Sequence, residues 1–444
     1  MKTFRVARVA PVKQAGVKIV ILVLVCVLAL SFALPSVAQT IPTWPPPGCT
    51  FDPVSLAPQQ ILVCLPPAPV TWNGALVVYA HGYVAPQLPL GLPSELTSSD
   101  GQTLIGGLLG NGFAFAATSY SRNGYAVEQA EADLNALVAY FAAQAPMPPK
   151  VFLVGASEGG LIAVQQIEKH PDIYYGGLAM CGPVGGMPYQ VQYMGDFRVV
   201  FDYFFPGVFA RFGVADAPAD AYQYWQGTYF PAIAQAISTR PLETLQLFSV
   251  SGAAVDPLDP AKSSVTTAQS ILRYSIFSTP DLMGTASGNP YDNQPPYGYW
   301  GSFDDSTLNL GVERVAATAQ GADYLRQHYQ TKGLLTRPLV TLHSICDPVV
   351  PFRHELLYGY LARSLGKGRL LTILPVVRYG HCNFTPGEIL AAFGLLVWQA
   401  TGQRQAGLEA QAVLPSPVNV DEIDWSEFER PEQGEFTYLP LVIG

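Results

Sequence analysis

The sequence predicts an α/β fold: a mostly parallel sheet with helices on both faces, interrupted once by a mostly helical cap insertion. Three observations carry this expectation. Between Ala75 and Met180, short apolar runs alternate with segments of helical period. From Met187 to Lys332 the alternation stops. From Pro338 it resumes, with two further apolar runs each followed by a helical stretch. Strands apolar on both faces belong in a parallel sheet, because its crossover helices cover both sides.

After a Pro-rich start at residues 41–47, strands are expected at Gln60–Leu65 and Ala75–Ala80, the second running into His81-Gly82-Tyr83. A helix over Asp100–Leu109, a turn at Asn111-Gly112 and a strand at Phe113–Ser119 follow. Over Gly124–Gln144, Val127, Ala130, Leu134, Leu137, Val138 and Phe141 recur at helical spacing. Glu128, Glu131 and Asp133 lie near its start, where the helix dipole favours acids. Pro146, Pro148 and Pro149 end it. Val151–Val154 is a short apolar strand, Gly155–Lys169 a turn entering a helix, and Gly177–Met180 the next strand. The insertion is rich in Tyr, Phe, Pro, Gly and Asp, with helices expected at Ala219–Trp225 and Ser306–Tyr329. A strand at Pro338–His343, a helix at His354–Leu365, a strand at Leu370–Val376 and a helix at Pro386–Gln399 complete the pattern. The domain boundaries read from this are 1–38 for a targeting segment, 39–186 and 334–406 for the two parts of the core, 187–333 for the insertion and 407–444 for a tail. That tail carries an acidic run over 420–433 and an apolar stretch over 436–443; it reads as a tether or a packed arm, and the arm is preferred. No internal repeat is visible.

Residues 1–18 hold Lys2, Arg5, Arg8, Lys13 and Lys18 and no acid, and an apolar run from Ile19 to Leu34 precedes Ser36-Val37-Ala38. That order is a secretory signal peptide with cleavage after Ala38. The alternative is an uncleaved anchor, although the run is shorter than the ~20 residues of a spanning helix. No later stretch is apolar and long enough to span a bilayer. Without the segment, Lys+Arg falls from 24 to 19 against 33 acidic residues, so the formal charge moves from −9 to −14. A chain this acidic is unsuited to nucleic acid or anionic membrane surfaces. With 49% hydrophobic and 13% charged residues it is globular rather than disordered. Of six cysteines, Cys26 leaves with the signal; export permits disulfides among Cys49, Cys64, Cys181, Cys346 and Cys382. Cys49 and Cys64 flank a short segment and are candidates to close it. None has the paired spacing of a zinc site, and no metal is expected.

Gly155-Ala156-Ser157-Glu158-Gly159-Gly160 matches G-x-S-x-G between a short apolar strand and a helix, the context that motif requires. Small flanking residues let the chain turn tightly and expose the Ser157 hydroxyl. The Glu158 amide, at a helix N-terminus, can donate to an oxyanion. A serine hydroxyl needs a base. The six histidines are His81, His170, His328, His343, His354 and His381. His328 falls in the helical insertion and His343 on a strand; His381 follows the last strand by a short loop and is the expected base, with His354 in reserve. Asp347, in the exit loop of the Pro338–His343 strand, is the expected acid that orients the base. Asp304, Asp305 and Asp323 lie in the insertion and are weaker candidates. Tyr83, after His81-Gly82, supplies a second oxyanion amide, leaving His81 a structural role.

At these segments the sequence resembles the α/β-hydrolase superfamily, among secreted hydrolases. The resemblance is carried by Trp72–Tyr83, the Gly155–Gly160 elbow and Gly380-His381-Cys382-Asn383-Phe384, with weaker support from Ser121–Tyr125. It covers about Thr50–Met187 and Leu334–Gln403, and no motif of the insertion. It implies the α/β-hydrolase fold and the order Ser157, Asp347, His381. It also implies hydrolysis of a carboxylic ester, on a small-molecule or polymeric substrate, without metal or organic cofactor. The adjacency of Cys346 to Asp347 and of Cys382 to His381 also resembles tannases and feruloyl esterases, in which a disulfide braces the triad. Here Ala156 and not a cysteine precedes Ser157, so the resemblance supports a bridge near the site and does not transfer a phenolic-ester substrate. Because Cys346 and Cys382 each adjoin a residue of the Asp347–His381 pair, a Cys346–Cys382 bridge is the expectation, with Cys181 as rival partner. The insertion aromatics Tyr203, Phe204, Phe205, Tyr222, Tyr224, Trp225 and Tyr229 are candidates for the substrate pocket or for the insertion's own core. Two other readings stay open. A prolyl-type peptidase would use Glu158 to hold a substrate amino group, and a non-catalytic binding protein would have kept only the fold.

Overall fold

The computed structural model describes residues 44–420, 422, 423 and 425. The signal-peptide reading lies outside the described residues, as do the apolar stretch over 436–443 and most of the acidic run before it.

Eight strands form one sheet: β1 (Cys49–Asp52), β2 (Ile61–Cys64), β3 (Ala75–Ala80), β4 (Ala114–Thr118), β5 (Lys150–Ala156), β6 (Gly176–Met180), β7 (Leu339–Cys346) and β8 (Leu371–Tyr379). Their order across the sheet is β1-β2-β4-β3-β5-β6-β7-β8. From β4 to β8 every neighbouring pair is parallel; β2 joins β4 and β1 joins β2 antiparallel. From β2 to β8 the apolar strand residues alternate between two layers. Leu76, Val78, Val151, Leu153 and Ile373 face α3 (Val127–Gln144), α4 (Glu158–Lys169) and α12 (Arg353–Ser364). Val77, Phe115, Phe152, Val154 and Leu374 face α2 (Ser99–Gly110), which follows the short α1 (Ser94–Thr97), and α13 (Pro386–Thr401). Each fully buried Leu or Phe here contributes about 1.5–3 kcal/mol, which fixes the register, since a one-residue slip would exchange the two layers.

Between β6 and β7 the described chain is helical: α5 (Met187–Phe204), α6 (Phe230–Thr239), α7 (Pro241–Ser251), α8 (Pro260–Phe277), α9 (Thr279–Thr285), α10 (Asp305–Gly311) and α11 (Ala319–His328). It has its own apolar core around Phe197, Phe201, Trp225, Ile233, Leu272 and Tyr291. The helix expected over Ser306–Tyr329 is two helices, with extended backbone at Val312. Asp304 caps the first through the Thr307 amide, and Thr318 restarts the second through the Gly321 amide. At Ala219–Trp225 there is a 3₁₀ turn over Ala221–Tyr224, leading through a wide turn at Trp225–Tyr229 into α6. Strand β1 was not expected; it is a half-exposed edge strand without alternation, held to β2 by a Cys49–Cys64 disulfide. The described part of the tail packs as an arm. Val418 donates its N–H to Ile373 of β8, and Trp425 is buried beside Tyr360. Among the described residues no helix is long and apolar enough to cross a membrane.

Candidate active site

Ser157 sits between β5 and α4 with φ 56° and ψ −124°, a left-handed backbone that costs an L-residue about 1–2 kcal/mol. The crowding around the turn explains its glycines. A Cβ on Gly155 would lie 1.9 Å from the Gly159 oxygen, and one on Gly159 would lie 2.0 Å from the Ala80 oxygen. The Ser157 N–H donates to Met180 of β6 (2.9 Å), which fixes the turn to the neighbouring strand.

His381, in the loop after β8, lies with Nε2 2.9 Å from Ser157 Oγ and Nδ1 2.8 Å from Asp347 Oδ2. Asp347 follows β7 and is buried; its Oδ1 accepts from the amides of Val349 (2.8 Å) and Val350 (3.0 Å). Burial alone would raise the Asp347 carboxyl, but His381 and His343 hold it down at about 2. The insertion clamps this loop: Tyr193 Oη donates to the Pro348 carbonyl (2.7 Å) and Gln190 Nε2 to the Val349 carbonyl (2.8 Å).

Gly82 lies against the serine, where an added Cβ would sit 3.0 Å from Ser157 Cβ. The next residue, Tyr83, has a backbone N–H with no acceptor among the described residues, and its hydroxyl donates to the Phe277 carbonyl (3.0 Å). Glu158 is the first residue of α4, so its amide has no intrahelical acceptor. Its carboxyl turns inward and does not line the cavity beside Ser157; it is buried and accepts from the Ala126 N–H (2.8 Å). Burial pushes that carboxyl up to about 8.

His354 and His81 stand apart from Ser157, whereas His343 lies behind Asp347. His354, the reserve base, is buried, accepts at Nδ1 from the Gly185 amide (3.2 Å) and donates at Nε2 to Gln190 (2.8 Å). That is a neutral histidine with no reach to Ser157. His81 stacks on Tyr120, ring centroids 3.9 Å apart, with Nδ1 2.7 Å from the Gly82 carbonyl; burial lowers it to about 4.

Ser157 and His381 open on a cavity of about 460 Å³. Its walls are mostly apolar and come from the sheet, α2 and α13: Val77, Ile105, Leu108, Phe115, Leu390 and Phe393. From the insertion, Tyr274 of α8 reaches the lining, and its hydroxyl makes no hydrogen bond among the described residues. The insertion aromatics that were candidates for the pocket or for the insertion's core do not line this cavity. Phe204, Phe205, Trp225 and Tyr229 are buried in the insertion core, and Tyr203 and Phe204 border a second cavity of about 390 Å³. The signal that could have found these walls is the apolar spacing of Leu104, Ile105 and Leu108 in α2.

The expected Cys346–Cys382 bridge is not formed. Cys382 is bonded to Cys181, and Cys346 is free. Asp347 and His381 meet through their side chains, whereas the strand register pairs Cys346 with Tyr379, short of Cys382. Cys181 directly follows β6, whose last residues flank the Ser157 turn, and it and Cys382 both line the cavity. Cys382 Sγ lies 3.5 Å from His381 Nε2.

No protein-family model matches the chain, and no curated protein matches it. Among solved structures it is similar to lipase A of Candida antarctica, at 13% identity over 83% of this chain and 79% of that one, TM-score 0.40. It is also similar to feruloyl esterase B from Aspergillus oryzae, at 12% identity over 78% and 80%, TM-score 0.42. A third is Est1E from Butyrivibrio proteoclasticus, at 10% identity over 80% and 100%, TM-score 0.39. Likeness at this level identifies neither substrate nor site residues. The chain's own features are a parallel sheet from β4 to β8, a serine on a strained strand-to-helix turn, an acid after β7 and a histidine after β8, in that chain order. By these features the chain has the α/β-hydrolase fold.

Proposed function

We propose that the chain is a serine hydrolase that cleaves a carboxylic ester through an acyl-enzyme. The observation that carries this reading is the hydrogen-bonded line from Ser157 through His381 to buried Asp347 at the wall of an apolar cavity. A carboxylate only accepts, so Asp347 holds the His381 proton on Nδ1 and leaves Nε2 to take the proton of Ser157. Ser157 Oγ then bonds to the ester carbonyl carbon, and the amides of Tyr83 and Glu158 receive the oxyanion. As the C–O bond breaks, the Nε2 proton of His381 passes to the leaving alcohol. Water, deprotonated by the same nitrogen, releases the acid. The cavity accepts an apolar acyl or aryl group, each buried methylene adding about 0.8 kcal/mol. The peptidase alternative gains nothing from Glu158, whose carboxyl is spent on the Ala126 amide. Two disulfides suit an exported protein.

The test is a panel of p-nitrophenyl acyl esters beside aminoacyl and peptidyl anilides. Ester turnover that rises with acyl length and is cut back for long chains by Leu104→Trp, at the cavity wall, is expected. Anilide turnover without ester turnover refutes the ester reading.

A further inference from the structure

Strand β7, which delivers Asp347, carries a second buried histidine. His343 and the Glu355 that faces it from α12 have no exposed surface. His343 Nδ1 lies 2.9 Å from Glu355 Oε1, and Nε2 lies 2.9 Å from the Val350 carbonyl. A carbonyl and a carboxylate only accept, and a neutral imidazole has one N–H, so it would set a lone pair against one of these oxygens. The imidazolium satisfies both. Glu355 is committed on its other side, where Oε2 accepts from the Thr341 hydroxyl (2.5 Å). The same His343 Nε2 is 3.6 Å from Asp347 Oδ2, the oxygen that binds His381. Glu355, His343, Asp347 and His381 therefore form one row running from the core to Ser157.

We infer that His343 is a permanently charged imidazolium acting as a positioning residue. It keeps Asp347 ionised and aimed at His381. The inference rests on the Ser157–His381–Asp347 reading above.

Among the described residues the neighbouring titratable groups are engaged elsewhere. His354, on the same helix, accepts an amide at Nδ1 and is neutral. Tyr358 donates its hydroxyl to Glu168. The Phe352 ring meets His343 edge-on, with centroids 5.8 Å apart. Burial pulls His343 down, but Asp347 and Glu355 together outweigh it and carry the ring up to about 10. The Val350 carbonyl that binds His343 belongs to the residue whose amide binds Asp347, so the ring also braces the acid's loop.

Two measurements test this. The first uses the wild-type full chain with ring-¹⁵N histidine, and it does not depend on turnover. Two ring N–H protons are expected on His343 from pH 5 to 9. A neutral ring at pH 7, with the proton on Glu355, would overturn the inference. The second is the pH profile of kcat/KM on a p-nitrophenyl ester. In His343→Gln, Asp347 loses a positive charge that keeps it ionised, so the acidic limb of the profile should move up by about one pH unit. That is about a tenfold loss near pH 6 with a smaller change on the alkaline plateau. His343→Gln/Glu355→Gln removes both charges and should shift the limb less. A folded His343→Gln variant with an unmoved limb also overturns the inference. If His343→Gln fails to fold, the ring protonation still decides. A wild-type chain inactive on every ester while His343 stays doubly protonated would sink the triad reading instead.

Discussion

Replacing Cys181 and Cys382 together by serine opens a covalent ring whose ends are 201 residues apart. In the chain-entropy account, closing a loop of that length removes about 18 cal/mol/K from the unfolded state, about 5 kcal/mol at 25 °C. Loss of a native bridge in practice takes away about 2–5 kcal/mol, a large share of the 5–15 kcal/mol typical of a whole domain. Activity should fall as well, because Cys382 Sγ touches His381 Nε2 at 3.5 Å and small displacements of a base reduce rate steeply. The assay is the urea midpoint by tyrosine and tryptophan fluorescence, with ester turnover measured on the same samples. Cys346→Ser is the control and should leave both within error, roughly 0.5 kcal/mol. A wild-type midpoint in the double variant, or a comparable loss in Cys346→Ser, would refute this account of the bridge.

Ser157→Ala should abolish turnover and fluorophosphonate labelling while keeping the fold; residual labelling would point to another nucleophile. Ser157→Gly should be equally inactive but raise the thermal midpoint, because glycine tolerates φ 56° where serine is strained by about 1 kcal/mol or more. Tyr274→Phe should lower kcat/KM about fivefold, one hydrogen bond's worth, with an unchanged thermal midpoint; an unchanged kcat/KM would mean the hydroxyl does not reach the substrate. Glu158 bears on pH. Its carboxyl is raised from 4.5 to about 8 by burial, so the native state keeps a proton that the unfolded state releases. Its favourable contribution is complete below 4.5 and lost as pH rises through 8. Glu158→Gln removes this dependence, so the variant should gain midpoint relative to wild type between pH 5 and 8. A constant difference across that range would contradict it.

What the sequence disclosed follows from how local each signal is. Strand β5, the Ser157 turn and α4 are adjacent in the chain, and their small residues answer contacts made within a few positions, so the motif and its context were visible together. Asp347 and His381 were legible as residues that leave strands late in the chain. The pairing of Cys181 with Cys382 was not, because it depends on β6 lying next to β5, and sequence does not state strand order. Helix α5 was missed because Phe197, Val199, Val200 and Phe201 are all buried, which erases the one-sided stripe of a surface helix. His343 read as a plain strand residue, since its partner Glu355 arrives only when α12 packs against β7. The insertion aromatics are conspicuous in sequence, which could not decide between pocket and core; most of them fill the insertion's own core.

The Cys181–Cys382 bond has a topological consequence. The whole helical insertion, and every residue from 182 to 381, lies inside one covalent ring, with Ser157 on one side of its closure and His381 beside the other. A protease cut within an exposed loop of the insertion would leave two fragments joined. One would carry Ser157 and the other Asp347 and His381. Such a nicked chain migrates as one species unreduced and as two once reduced, and the three side chains need not part company. The insertion is thus the place where new chain ends could be opened, by processing or by circular permutation, while the two halves of the site remain tethered.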